Sequence, residues 1–560
     1  MTTAAGRQGP SARSQRVLLA LGVAALMVPF GVVAIRYLIA PGHVFLSDDL
    51  ALIDLHTRDA LHWQQSLGPF DRFGWNHPGP AYFYVLSILA RIAGPGAQAM
   101  FAGAAIWNLA IALACVWLVA HRNGAAAAAW CTVSLIGLAA VMGATGTAAT
   151  TTSESPLGAL VSPWNPMVVI FPLVLFGLLC ADGAQVRAVS LLGAALVGSF
   201  AVQTNLSTLP LVAVGLVAAS VNRVVLWRRG RAVSPSPPSG KGGFPVLGMV
   251  ASAVLVLVWL PPLVQQFTTH PGNLTRIWRF FTSPHAGHAL GAGFWSVLAV
   301  DGVSVHGMSS VMGSSLGKGR PGDLVFLAAL VALGWVGVTI GGRRGALLAR
   351  ALGWGSLLGA AAVAVSVTRI VGPVYGYLVV WEIAVPAIGL IGVGIAIFGN
   401  RVGFSDGTGP TSATWALPVR AMVYLACLMV LAGSLLTVET ARAPALSRAS
   451  DPTVAQAWRV ISAHLQPSSR TIYLNAASRL SLRGIFTYFG VFNELQERGY
   501  HPRVSWFWGA EVGPTYISNG KEPLQILLYP ARTPRRLIPG YLGNAGDVEV
   551  ALVPGPPPAL

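Results

Sequence analysis

Two adjacent carboxylates, Asp48 and Asp49, stand just beyond a long apolar run that ends near Ala40. Five of the chain's 19 acidic residues (Asp48, Asp49, Asp54, Asp59 and Asp71) fall between Phe45 and Pro80, so carboxylates are gathered in one loop of an otherwise acid-poor chain. Neighbouring carboxylates at a membrane surface repel each other and the headgroup phosphates. A hydroxyl awaiting deprotonation, or a divalent cation (Mg, Mn or Ca) held by Asp48 and Asp49, would offset that repulsion. A plainer reading stands beside it. Ser47 is suited to cap a helix whose first turn carries Asp48 and Asp49, where the macrodipole favours acids, and Asp54 and Arg58 have the i,i+4 spacing of an ion pair. The loop closes with Trp75-Asn76-His77-Pro78-Gly79-Pro80. The two prolines fix the entry into the next helix. His77 could hydrogen-bond a phosphate, and Trp75 suits either interface anchoring or stacking on a sugar.

These residues need a scaffold, and composition names it. The 560-residue chain is 54% hydrophobic and 10% charged, against about 25% charge in soluble domains. Apolar runs near the roughly 20 residues needed to cross a bilayer recur along it. Spans are expected at about 17–40, 98–120, 124–145, 164–181, 188–204, 207–226, 245–264, 322–342, 351–368, 376–398 and 417–438. The fold class is therefore an all-α polytopic membrane protein with about eleven transmembrane helices. Residues 81–93 are too short for a span and suit an interfacial or re-entrant helix. Arg7, Arg13 and Arg16 put residues 1–16 inside. By parity the inner loops then hold Arg122, Arg187, Arg223, Arg228, Arg229, Arg231, Lys241, Arg343, Arg344, Arg350, Arg401 and Arg420, with Asp182 and Asp406 as their acids. That bias is the one the positive-inside rule requires. It makes the Phe45–Pro80 loop extracytoplasmic in a multi-pass protein of the plasma membrane.

The net charge of +17 is spread over span ends and the tail, with no basic stripe interleaved with aromatics, so nucleic acid is not an expected partner. Cys115, Cys131, Cys180 and Cys427 lie in apolar runs and read as small core residues. Residues 227–244 form an inner Pro/Ser/Gly linker within the membrane region 17–439. Residues 440–560 are soluble in character: helical patterns at 454–465 and 481–498 alternate with strand-like runs at 471–476, 504–508, 524–529 and 547–553, a small extracytoplasmic α/β domain.

Four stretches, in order, carry a resemblance. They are "SDDLALIDL" with "GPFDRFGWNHPGPAYFYVL", then "SPWNPMVVIFPLVLF", "AVQTNLSTLP" and "WLPPLVQQFTTHPGNLTRIWRFF". Together they resemble the GT-C superfamily of polytopic glycosyltransferases, including its mannosyltransferase, aminoarabinose-transferase and arabinosyltransferase types, over most of residues 17–400. The likeness implies a donor sugar on a polyprenyl phosphate, an envelope glycan, lipid or protein acceptor, and inverting transfer. It implies Asp49 as catalytic base with Asp48 beside it, and in some members a metal at that position. It also draws Trp164, Asn165, Gln203 and Asn205 toward the substrate, although Asn205 stands where the family pattern has a His-like residue. A leaving phosphate wants cations. The outer-side candidates are Arg369, at a span end, and Arg276 and Arg279, which flank Trp278. The competing classes are a lipid-linked-sugar flippase and a non-catalytic envelope-assembly protein. A flippase wants polar faces at mid-membrane, and here polar residues gather at the outer ends instead.

Overall fold

The computed structural model describes residues 12–143, 162–185, 187, 189–229, 243–284, 287–295, 324–399, 450–466, 471–476 and 479–556. The expected span at 417–438 and most of the linker lie outside these. The other ten expected spans each coincide with an apolar helix. α1 (Ala12–Leu38), α4 (Ala97–Asn123), α5 (Ala125–Gly143) and the helix Leu209–Arg228 are continuous. So are Val189–Thr204, Gly243–Thr268, Leu324–Arg343 and Leu347–Val367. The remaining two are broken near their starts, Asn165–Val168 leading into Ile170–Gln185, and Gly376–Val379 passing through a 3-10 turn into Ala384–Phe398. Among the described residues, seven helices are long and apolar enough to cross a bilayer, and three of the others are shorter apolar helices within expected spans. This is a membrane protein.

Burial separates the inside of the bundle from its lipid face. The apolar window of Asn165–Gln185 is 89% buried and that of Gly248–Thr268 only 6%, so the first is the central post and the second faces lipid. Glycines let helices close on each other where lipid supplies no hydrophobic drive. A Cβ on Gly353 would meet the Gly334 carbonyl at 2.5 Å. Asp182, fully buried, is matched by Arg122, whose Nε and Nη2 both reach it at 2.8 Å.

α2 (Asp48–Leu61) and α3 (Ala81–Ala93) are short helices between α1 and α4. At 13 residues α3 is about 20 Å long, too short to span, and it buries Tyr82, Phe83 and Leu86 completely. Between α2 and α3, β1 (Phe70–Asp71) and β2 (Trp75–Asn76) pair antiparallel, Phe70 opposite Asn76. The turn places Gly74 at φ +81°, a left-handed position that glycine takes without cost.

The C-terminal unit is the expected small α/β domain. Its sheet runs β4 (His501–Arg503), β3 (Thr471–Ala476), β5 (Leu524–Pro530), β7 (Val548–Pro554), β6 (Tyr541–Ala545). β4, β3 and β5 are parallel and the β5–β7–β6 edge antiparallel. The helices Pro452–Ser462 and Leu482–Glu497 accompany it. One expectation is corrected: the aromatic run 504–508 is no strand. Val504 makes a single bridge to Ile517, and Trp506–Trp508 is a 3-10 turn with Trp506 and Phe507 exposed. Aromatic β-propensity needs a pleated neighbour to act on, and here the chain turns away from the sheet edge.

Candidate active site

α2 begins under constraint. Ser47 sits at the N-cap position with extended backbone, but its hydroxyl caps no amide. Asp48 has φ +54°, in the left-handed region, a geometry worth on the order of 1–3 kcal/mol of strain for a residue with a side chain. Asp49 follows, and its Oδ2 accepts a hydrogen bond from Trp164 Nε1 at 2.8 Å. Both carboxyls keep some exposed edge but are closely surrounded by protein. Burial raises both above the ordinary carboxylate range, the Asp49 charge raises Asp48 further, and the Trp164 bond holds Asp49 back. A carboxylate with an elevated pKa and one fixed donor has the properties of a general base.

Asp49 lines a narrow cleft of about 10 Å³ together with Leu52, Ile53, His56, Pro69, Phe70, Phe83 and Asn165. Its far wall is the β1–β2 hairpin, and several sequence-derived candidates turn out to hold that wall. Asn76 donates its N–H to Asn273 Oδ1 at 2.8 Å and accepts from Asn273 Nδ2 at 2.7 Å. His77 is buried, its Nδ1 accepts the Leu206 N–H at 3.0 Å, and burial lowers its pKa to about 3. It is therefore neutral at physiological pH, with Nδ1 as acceptor and Nε2–H as donor. Gln203 lies against Gly79, where a Cβ would stand 2.2 Å from its Oε1. Asn205 caps the turn Leu206–Thr208 by accepting from Ser207. Asn165 donates to the Thr204 carbonyl at 3.3 Å while lining the cleft. Trp75 is buried edge-on to His77, with Phe280 behind it.

From Trp164 a continuous chain of rings leads away from Asp49. Trp164 meets Tyr377 with centroids 5.2 Å apart, and Tyr377 stacks on Tyr375 at 5.7 Å and 10°. The Arg72 guanidinium lies 5.7 Å from the Tyr375 ring and 5.0 Å from the Phe73 ring. The Tyr377 hydroxyl lies in the fields of Asp49, Asp71 and Arg72 together. Asp71, whose Oδ1 accepts the Phe73 N–H at 3.0 Å, is pushed up to about 6, first by burial and then by Asp49. The run of contacts thus has a carboxylate at one end, aromatic rings along it and the exposed Arg72 at the other.

Arg72, Asp71, Tyr375 and Tyr377 were not among the sequence-derived candidates. The signal for Arg72 was its place in the same acid-rich loop, bracketed by Phe70 and Phe73. The cations singled out instead lie elsewhere. Arg369 and Arg279 are exposed and Arg276 is half-buried on the helix Asn273–Thr282. Among the described residues no hydrogen bond or ion pair joins any of the three to the Asp49 cluster.

For the metal expectation at Asp48 and Asp49, no third His, Cys, Asp or Glu ligand converges on the pair among the described residues. Asp49 Oδ2 is already engaged by Trp164. Among the described residues, the group of His, Cys, Asp or Glu whose ligand atoms converge closely enough for an ion is His43, Glu494 and Glu497, within 4.8 Å of one another.

No protein-family model and no curated protein matches the sequence. Solved structures do. ArnT from Cupriavidus metallidurans in the apo state superposes with a TM-score of 0.56 over 97% of this chain and 98% of that one, at 15% identity. The same protein bound to undecaprenyl phosphate gives 0.52 over the same shares, at 14% identity. The chain has the GT-C fold. The alignment with ArnT runs over nearly the whole of both chains. The archaeal oligosaccharyltransferase AglB from Archaeoglobus fulgidus aligns over 92% of this chain and 70% of its own, with a TM-score of 0.37 at 12% identity.

Proposed function

We propose that the protein is a membrane glycosyltransferase that moves a sugar from a polyprenyl-phosphate carrier to an envelope glycan, lipid or protein acceptor. Transfer occurs at the extracytoplasmic face of the plasma membrane, with residues 1–16 in the cytoplasm and the C-terminal domain outside. The observation that carries this reading is the run of contacts from Asp49 through Trp164, Tyr377 and Tyr375 to Arg72. A sugar phosphate carries an anion at one end, a ring with apolar faces in the middle and an electrophilic carbon between them. Arg72 suits the anion, the aromatic floor suits the ring, and Asp49 suits an incoming hydroxyl. The ArnT structure that shares the fold was solved with a polyprenyl phosphate bound.

In the proposed reaction Asp49 takes the proton of the acceptor hydroxyl as its oxygen attacks the anomeric carbon. The bond from that carbon to the phosphate oxygen breaks on the opposite face, so configuration inverts and the lipid phosphate leaves with the electron pair. Arg72 stabilises the charge that grows on it. General-base help of this kind is worth about 10²- to 10⁴-fold. Trp164 aims the carboxylate, and burial holds Asp48 and Asp71 beside it above the usual carboxylate range.

The test is purified protein in vesicles with a panel of labelled polyprenyl-phosphate sugars and envelope extract. The reading expects one label to leave its lipid for a water-soluble or lipid acceptor. Label that changes leaflet while staying on its carrier would make the protein a flippase and overturn the proposal.

A further inference from the structure

The stretch that bears Asp48 and Asp49 is gripped on both sides by the C-terminal domain. Before it, Phe45 donates its N–H to Ser450 Oγ at 3.1 Å and accepts from the Asp451 N–H at 2.7 Å. His43 Nε2 lies 2.7 and 2.9 Å from the two oxygens of Glu494. The helix Leu482–Glu497 comes so close that a Cβ on Gly490 would stand 2.6 Å from the Leu46 carbonyl oxygen.

Behind it, the second half of α2 is engaged residue by residue. Arg58 pairs with Asp54 at 3.0 Å, lies 3.7 Å from Glu497 and donates to the side chain of Asn493. Asn493 Nδ2 donates in turn to Asp54 at 3.1 Å. Tyr516 donates to Asp59 at 2.7 Å, and His56 Nε2 meets the Glu511 carbonyl at 2.9 Å. Asp54 is 1% exposed and Arg58 6%, so these are interior ties. Charged groups this buried persist only with their partners in place. Glu494 and Glu497 also face Arg498 and Arg58, each at 3.7 Å, so the His43 cluster already has its counter-charges from the protein.

A 14-residue helix is a stiff rod about 21 Å long. Fixing its second half and the segment leading into it determines where its first residues lie. Those first residues include Asp48 with φ +54° and no cap from Ser47, a turn that persists only when its surroundings over-determine it. We infer that the C-terminal domain is a positioning element for the reaction, with Asn493, Arg58 and the His43–Glu494 pair setting the register of Asp48 and Asp49 against Trp164. None of these touches the proposed substrate. The kinetic part of the inference rests on the glycosyl-transfer reading; the structural part does not.

The experiment uses the full-length protein and Asn493→Ala. Hydrogen–deuterium exchange is followed by mass spectrometry, and transfer kinetics on the donor that serves the wild type. Amide exchange over residues 49–54 should rise on the order of tenfold or more, while β5 and β7 stay protected as in the wild type. Since an ångström of misplacement costs about 10²-fold in rate, kcat should fall on the order of ten- to a hundredfold, with KM for the donor within about twofold. Unchanged exchange at 49–54, or loss of protection throughout the sheet as well, overturns the inference, as does an unchanged kcat. If Asn493→Ala does not yield folded protein, Arg58→Lys, which keeps the charge beside Asp54 but loses the fork toward Asn493, should show the same pattern at smaller amplitude. A wild type that transfers no sugar sinks the transferase reading and leaves the exchange result to decide positioning.

Discussion

Replacing Trp164 with Phe isolates one hydrogen bond. The phenyl ring keeps an aromatic face for Tyr377, whose centroid lies 5.2 Å from that of Trp164, and only the Nε1–H that reaches Asp49 Oδ2 at 2.8 Å is removed. A hydrogen bond to a charged group contributes about 1.5–3 kcal/mol. The bond stabilises the ionised carboxylate, so its loss favours the protonated form. At 1.36 kcal/mol per pKa unit, Asp49 moves upward by about one to two units. The base must be ionised to act, so the acid limb of the pH profile of kcat/KM shifts alkaline by that amount. Below the limb the rate falls about ten- to a hundredfold, and at high pH it recovers. The assay is transfer of label from the polyprenyl-phosphate sugar across the accessible pH range, with donor binding measured separately. A limb that stays in place, or a loss that is uniform across pH, would refute Asp49 as the base steered by Trp164.

Arg72→Gln should raise the donor KM about tenfold, from roughly 1.4 kcal/mol for one charge-assisted contact in an open setting; donor titration checks this, and an unchanged KM would remove Arg72 from the site. Asn273→Ala leaves the buried N–H and carbonyl of Asn76 without their partners, so thermal unfolding should report a loss on the order of 2–4 kcal/mol. Between pH 6.5 and 8 the unfolding midpoint should fall. Burial pushes Glu497 up to about 7, Asp54 adding to this, and His43 is raised by its bond to Glu494. The folded state therefore holds protons that the unfolded chain has released, and their stabilisation is lost as pH rises through the folded values. Below pH 6.5 the neutral, buried His77 opposes this trend. Glu497→Gln should flatten the slope above pH 6.5.

What could be read from the sequence followed from local physics. Apolar runs of span length gave the membrane helices, since bilayer thickness acts on each run separately. The strand-like runs at 471–476, 524–529 and 547–553 stand out by their own pattern and fall on strands Thr471–Ala476, Leu524–Pro530 and Val548–Pro554. The Asp54–Arg58 pair was legible from i,i+4 spacing, but not its setting: it is sealed against Asn493, more than 400 residues away. Tyr375 and Tyr377 reach Arg72 only because the span 376–398 begins with a broken turn beside the hairpin, and no periodicity encodes that. For His77 the sequence does not disclose its burial or that its Nδ1 accepts the Leu206 N–H, a contact 129 residues along the chain. The aromatic run at 504–508 has strand propensity but only a single bridge, Val504 to Ile517, to act on.

The account depends most on Asp49 removing a proton while the carrier lipid stays bound. Asp49→Asn keeps the shape of the side chain and an oxygen able to face Trp164 while removing its basicity. Wild type and variant, purified alike, are compared for transfer of labelled sugar and for equilibrium binding of the polyprenyl-phosphate donor. The account predicts a transfer rate lower by about 10²- to 10⁴-fold with donor affinity retained. A variant that binds donor normally and transfers within tenfold of wild type would contradict it.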